Sequence, residues 1–560
     1  LKRTKLPFIL VAALVITLAC GPVSVSLTPT WSPVATPSPF PSPTATQERI
    51  ALPTPLPTAT PPATATPTYA WLPGEIRVYP GPEHYAGDLL SVEVAVENIS
   101  TLPEDLAATL LLDDTTTLSP EAVFAAYSPL REDVVVFRWA WDTTDQVGRH
   151  KLTAIIPTDT EAGSQQVSVW VEILPADQRP TQETLAGWAT QNTACCRLSY
   201  LTHTAAERDI NEIARQAERS IAAIEARLGF SIPNRPVPIT LIDNVWGNGA
   251  YVSNELVISY VDRAYAGANL DYLLRHEAVH WAMRPYQHET PTILVEGVAV
   301  YIAGGHYKPE PIPERASALL SLNAFIPLAT LATDFYSHQH EVAYIEAAGL
   351  VAYLVDTYGW SSFIRLYSLQ GVDATETAWL DQALQRVYGV DLAQVEQGYI
   401  QWLGEHPAGD QITDMRLTRD LYETIRRYEA LYSPYQESLP PVEEAIRRGV
   451  TAEFIREPTS PENIALEALL ISANQALLDR RYDECETLLN VINTTLDDGN
   501  FTRPPLSDYV AITRALAAQG YQLQEIGLTG DQAIVQAIRD WPQIETLTLS
   551  YTNGQWQIAN

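Results

Sequence analysis

The chain is short of cysteine and of positive charge, and it lacks a long apolar run; each shortage narrows what it can be. Four cysteines in 560 residues are too few for a disulfide scaffold. No Cys-x-x-Cys spacing marks a thiolate metal site. Cys195 and Cys196 are neighbours, and adjacent cysteines rarely bridge each other. Unpaired buried thiols are therefore the expectation for Cys195, Cys196 and Cys485, and any bridge is expected to join one of the pair to Cys485. Lys and Arg number 35 against 67 Asp and Glu, a formal net charge of -32. A chain this acidic repels nucleic acid and anionic lipid, which excludes both as partners. Hydrophobic residues still make up 46%, enough for several cores, and the length suggests three or four domains.

The apolar run at residues 6–19 is too short to cross a bilayer. It follows Lys2, Arg3 and Lys5 and ends Thr17-Leu18-Ala19-Cys20-Gly21, the order of a secretion signal. The ending resembles a bacterial lipoprotein box, with Thr17 where Leu is usual. That resemblance implies a signal peptide over 1–21, lipidation of Cys20 and anchoring to the membrane outside the cytoplasm. A secreted protein cut near the same place is the alternative. Residues 22–72 run through Pro, Thr and Ser without a strict repeat and read as an extended linker or stalk.

From 73 to 178 the pattern turns to strand period, with Leu90, Val92, Val94 and Val96 alternating, then Val167, Val169 and Val171. Phe137-Arg138-Trp139-Ala140-Trp141-Asp142 and the strand from Gly148 resemble immunoglobulin-like adhesion domains of the CARDB type, which implies a small β-sandwich.

One motif carries chemistry. Arg275-His276-Glu277-Ala278-Val279-His280-Trp281 places two imidazoles four residues apart, on one face of a helix, with a carboxylate between them. Asn269 or Asp271 can cap that helix and Pro285 stops it. Two histidines at this spacing grip one metal ion, and Glu277 can take a proton from a water that the metal activates. A catalytic zinc keeps three protein ligands, so one more is needed. Glu296 is the lone carboxylate in the apolar segment Thr292-Ile293-Leu294-Val295-Glu296-Gly297-Val298-Ala299-Val300-Tyr301, where it is costly to bury unless paired or metal-bound. Pairing with Arg275 or Arg284 is the bland alternative. His288 is a rival ligand, whereas His306, His338 and His340 read as solvent-facing loop histidines.

With these residues the chain resembles the gluzincin metallopeptidases of the peptidase MA-like families, over roughly 190–405. The match runs through His276, Glu277 and His280, then through Glu296-Gly297-Val298-Ala299-Val300-Tyr301. A metzincin would need Gly and His where Met283 and Tyr286 stand. The resemblance implies a Zn2+ cofactor held by His276, His280 and Glu296, Glu277 as the base, and a peptide or protein substrate. It implies too that Tyr344, near the head of the helix Val342–Leu354, donates to the oxyanion, and that Tyr358-Gly359-Trp360 is a helix stop and restart.

Before the motif, a helix over 205–228, a strand over 237–242 and a hairpin over 248–260 are expected. Residues 256–260 are taken as the open sheet edge that pairs with an extended substrate. Gly-x-Met-Glu-Asn, which holds a free amine in aminopeptidases of this kind, is missing; Glu255 stands near the strand without that pattern. The loss favours an endopeptidase.

Residues 406–500 read as helical, with a hairpin of helices over 461–498. Residues 501–560 read as a small α+β unit with a turn at Asn553-Gly554. The expected fold is thus multidomain: an immunoglobulin-like β-sandwich, an α+β zincin-like catalytic domain, a helical region and a small α+β C-terminal domain. The expected function is an extracytoplasmic, lipid-anchored zinc metallopeptidase. The competing reading is a surface binding or adhesion lipoprotein with a non-catalytic metal site.

Overall fold

A computed structural model describes residues 70–559, apart from 80–82, 98–107, 119–125, 129–130, 158–163, 243–248, 433–459 and the single positions 268, 307, 337, 373 and 375. The expected signal peptide, Cys20 and the Pro/Thr linker up to residue 69 lie outside the described residues.

The first nine strands are β1 (Ala70–Tyr79), β2 (His84–Tyr85), β3 (Leu89–Glu97), β4 (Thr109–Leu112), β5 (Thr116–Leu118), β6 (Ala126–Ser128), β7 (Arg131–Asp142), β8 (Gly148–Pro157) and β9 (Ser164–Leu174). They form two sheets, ordered β1-β3-β7-β6 and β2-β9-β8-β4-β5. Successive side chains of a strand point to opposite faces. Leu90, Val92 and Val94 of the first sheet therefore share one core with Leu110, Leu152, Val171 and Ile173 of the second. Phe137, Trp139 and Trp141 fill the middle of it.

After a short helix α1 (Thr181–Leu185), five strands make a third sheet: β10 (Trp188–Asn192), β11 (Cys196–Leu201), β12 (Val237–Ile242), β13 (Ala250–Val252) and β14 (Leu256–Ser259). Its order is β10-β11-β12-β14-β13. The crossover from β11 to β12 is α2 (Ala205–Leu228). Ile210, Ile213, Ala217, Ile221, Ile224 and Leu228 recur on its buried stripe, and Gly229 at φ 78° ends it.

The sheet corrects the expected edge. β14 lies inside, parallel to β12 and antiparallel to β13, and all four of its residues are buried. The hairpin folds Ala250–Val252 onto its outer side, so β13 is the edge.

The cysteine expectation is also overturned. Cys195 and Cys196 are bonded to each other, both inside the core that this sheet shares with α2. Cys485 is a free buried thiol in a separate core, which leaves it no partner among them.

The chain continues as helices α3 (Leu270–Met283), α4 (Thr292–Ala303), α5 (Ile312–Ser321), α6 (Leu328–Thr333), α7 (His340–Tyr358), α8 (Trp360–Tyr367), α9 (Glu376–Tyr388) and α10 (Leu392–Gly404). The Asn269 side chain accepts from the Asp271 backbone N–H to cap α3, and the helix gives way to a 3-10 turn at Arg284–Tyr286, around Pro285. Gly359 separates α7 from α8.

A second core follows, from α11 (Gln411–Tyr432), α12 (Pro461–Leu478), α13 (Tyr482–Asp498) and α14 (Leu506–Ala517) with the antiparallel sheet β15 (Gln522–Thr529), β16 (Gln532–Ile538), β17 (Ile544–Thr552) and β18 (Gln555–Ile558). Asn553 and Gly554, at φ 53° and 81°, join β17 to β18. Tyr265 from the loop before α3 packs into this core. Nearby, Arg263 pairs with Glu467 at 2.5 Å, both buried. Tyr265 also meets Tyr428 of α11 edge to face, with ring centroids 5.2 Å apart, which ties α11 to the loop before α3. Among the described residues no helix is long and apolar enough to cross a membrane.

Candidate active site

His276 and His280 lie one turn apart on α3, and Glu296 projects from α4 toward both. The Nε2 atoms of the two histidines are 2.9 Å apart. Oε2 of Glu296 stands 3.2 Å from each of them. A tetrahedral zinc with bonds of about 2.0–2.1 Å spaces its ligands roughly 3.3 Å apart. The donor triangle therefore fits zinc, in both dimensions and chemistry.

The bland alternatives for Glu296 do not occur. Arg275 pairs with Asp271 on its own helix at 2.6 Å, and Arg284 donates to the backbone oxygen of Ser253. His288 is exposed and bonds Gln370 at 2.7 Å, apart from the triangle.

Glycine explains how α4 reaches its place. A Cβ on Gly297 would lie 2.6 Å from the Ala347 carbonyl oxygen of α7. Only glycine permits that approach, and it sets the Glu296 helix directly against the helix that carries Tyr344.

The charges follow from burial. Glu277 is buried beside the triangle, and desolvation, with the Glu296 carboxylate adding to it, pushes its carboxyl up to about 7. Burial drives the His276 imidazole down to about 4. Burial also opposes a charge on His280, but the carboxylates of Glu296 and Glu277 outweigh it and hold that imidazole up to about 9. The same attraction from His280 and His276 outweighs burial at Glu296 and keeps its carboxyl well below the ordinary range.

These groups open into a cavity of about 510 Å³. The edge strand β13 lines one side, and Tyr344, Tyr336 and His340 line another. Tyr344 is buried, with its ring centroid 6.0 Å from that of His276. Glu255 lies elsewhere: it is buried and accepts a 2.7 Å hydrogen bond from Thr240.

Two histidines expected in solvent belong to this wall. His306 is buried, 4% exposed, and stacks on Tyr344 with centroids 4.2 Å apart. His340 begins α7, and its ring lies 4.2 Å from Tyr344. Its place one turn before Tyr344 on the same helix was the signal available in sequence. His306 offered none, because only the packing of α4 against α7 brings it there. Tyr336, whose hydroxyl donates to Oε1 of Glu296 at 2.9 Å, was equally hidden. So was the contribution of α11, which places Tyr422 and Arg426 on the cavity wall.

Residues 240–405 match the family described as the Peptidase MA superfamily. The segment contains β14, α3, α4 and α7, and with them every residue of the donor triangle. The match and the site together support a zincin-like metallopeptidase. No curated protein sequence matches the chain. Among solved structures, an aminopeptidase N family protein from Idiomarina loihiensis aligns at 8% identity and a TM-score of 0.17, over 85% of this chain and 97% of that one. A score that low carries no argument.

Proposed function

We propose that the protein is a zinc-dependent endopeptidase acting outside the cytoplasm. The observation that carries this reading is the meeting of His276, His280 and Glu296 at ligand spacing with Glu277 in the same cavity. When bound, zinc supplies Lewis acidity, which makes a water acidic and polarises a carbonyl oxygen.

The chain's own groups do the rest. Glu277 takes a proton from the attacking water as its oxygen bonds to the scissile carbonyl carbon. The same carboxyl then delivers that proton to the amide nitrogen as the C–N bond breaks. Its pKa, raised by burial, suits it to both halves of the cycle. The Tyr344 hydroxyl donates to the oxyanion that forms in between. β13, as the sheet edge on the cavity, offers backbone groups to an extended peptide.

Endopeptidase action is favoured because, among the described residues, β13 carries no acid to hold a substrate amine, and Glu255 next to it is turned onto Thr240. The immunoglobulin-like reading of 73–178 makes that unit a spacer. The basic residues, the apolar run and Cys20 at its end make the N-terminus an export signal with a lipid anchor. Cys20→Ala is then expected to move the protein from the membrane to the soluble fraction.

Digestion of a mixed peptide library by the zinc-loaded protein, read by mass spectrometry, tests the activity. Cleavage at interior bonds of N-acetylated peptides is expected. Release of single residues from free N-termini alone would reject the endopeptidase assignment. Stoichiometric zinc without cleavage would favour a surface binding protein.

A further inference from the structure

A second group of metal-binding side chains lies behind the first. His306, in the turn after α4, and His340 and Glu341, in the first turn of α7, bring their ligand atoms within 4.8 Å of one another. Nδ1 of His306 is 3.2 Å from Oε1 of Glu341, and Nδ1 of His340 is 3.9 Å from the same oxygen. Those edges bracket the spacing of roughly 3.3 Å that a tetrahedral zinc imposes on its ligands.

Burial sharpens the case. The side chains of His306, Glu341 and His340 are 4%, 2% and 17% exposed. Two imidazoles and a carboxylate converging in the interior form a donor set that suits zinc.

We propose that His306, His340 and Glu341 form a second divalent-cation site, of zinc chemistry and weaker than the first. It is weaker because Arg315 acts on Glu341 and Arg426 on His340, and both cations repel a bound ion. The ion ties the end of the Glu296 helix to the start of the Tyr344 helix. Tyr344 packs on both imidazoles, so the ion fixes the phenol's position without touching substrate.

The test is a zinc titration of the metal-free full chain, read by equilibrium dialysis with metal analysis and by thermal unfolding. The wild type is expected to take up two equivalents, with Tm rising again during the second. His340→Gln, which fills the same space, is expected to stop at one equivalent and to lose the second rise. A His276→Ala/His280→Ala double variant is expected to keep one equivalent, the weaker. Saturation of the wild type at one equivalent that the double variant loses would overturn the second site and leave the proposed function standing. Two equivalents retained by His340→Gln would overturn it as well. One equivalent lost by His340→Gln and kept by the double variant would support this site and sink the proposed peptidase centre. His340→Ala, checked for the wild-type far-ultraviolet spectrum, repeats the measurement should the glutamine variant misfold.

Discussion

The hydroxyl of Tyr336 donates to Oε1 of Glu296 at 2.9 Å, while Oε2 of the same carboxylate faces the two imidazoles at 3.2 Å. One oxygen is thus held by the protein and the other is turned to the metal position. Partners of this sort orient ligands and tune their affinity. Tyr336→Phe is expected to weaken zinc binding by about 10-fold, toward the low end of such effects because Tyr336 sits at the rim of the cavity. Competition with a chromophoric chelator measures this, and an unchanged zinc affinity would show that the hydrogen bond does not orient Glu296.

Tyr344 is expected to act on the transition state alone. Tyr344→Phe keeps the ring that packs against His306 and His340, and it removes only the hydroxyl. Loss of one oxyanion donor costs about 10²- to 10³-fold in kcat. Steady-state kinetics on a cleaved peptide should show that loss with KM and zinc content close to wild type. A fall in KM-linked affinity with kcat preserved would assign Tyr344 to substrate binding instead.

Another buried carboxylate, Glu346, predicts a pH effect on stability. Glu346 on α7 is 0% exposed, and burial raises its carboxyl well above the ordinary value despite a hydrogen bond from the Ile326 backbone N–H. A folded-state value above the unfolded one means that the folded chain holds this proton longer. Stability from this group is therefore fully present at pH below the unfolded value near 4.5, and it falls as pH rises through the folded value. The loss is about 1.4 kcal/mol for each unit of difference. Glu346→Gln keeps an acceptor for Ile326 and removes the charge. Its Tm should exceed that of the wild type at pH 8, and the gap should close toward pH 4.5. A variant less stable than wild type at pH 8 would contradict this.

What could be read from the sequence was local. His276, Glu277 and His280 lie within one helical turn and a half, so spacing alone set them on one face. Glu296 stood out as a carboxylate in an apolar run, because the cost of burying it demanded a partner. The limits of α2 and β12, the cap at Asn269 and the turn at Asn553-Gly554 rest on short-range preferences too. The rest depends on packing between distant segments. Whether residues 256–259 or 250–252 form the sheet edge follows from which side of β14 meets β12. His306 and His340 come together only because Gly297 lets α4 close on α7. The bond between Cys195 and Cys196 ran against the general rule for neighbours, and only the separation of Cys485 into another core shows why no longer bridge competes.

In the proposed mechanism Glu277 moves the proton at a zinc centre held by His276, His280 and Glu296. Glu277→Gln tests it most directly, because the amide keeps the shape of the side chain and cannot accept the proton. Metal analysis and peptide cleavage are measured on the same purified, zinc-loaded sample. Zinc is expected at the wild-type ratio, with cleavage reduced by about 10²- to 10⁴-fold. Wild-type cleavage with zinc still bound would contradict it.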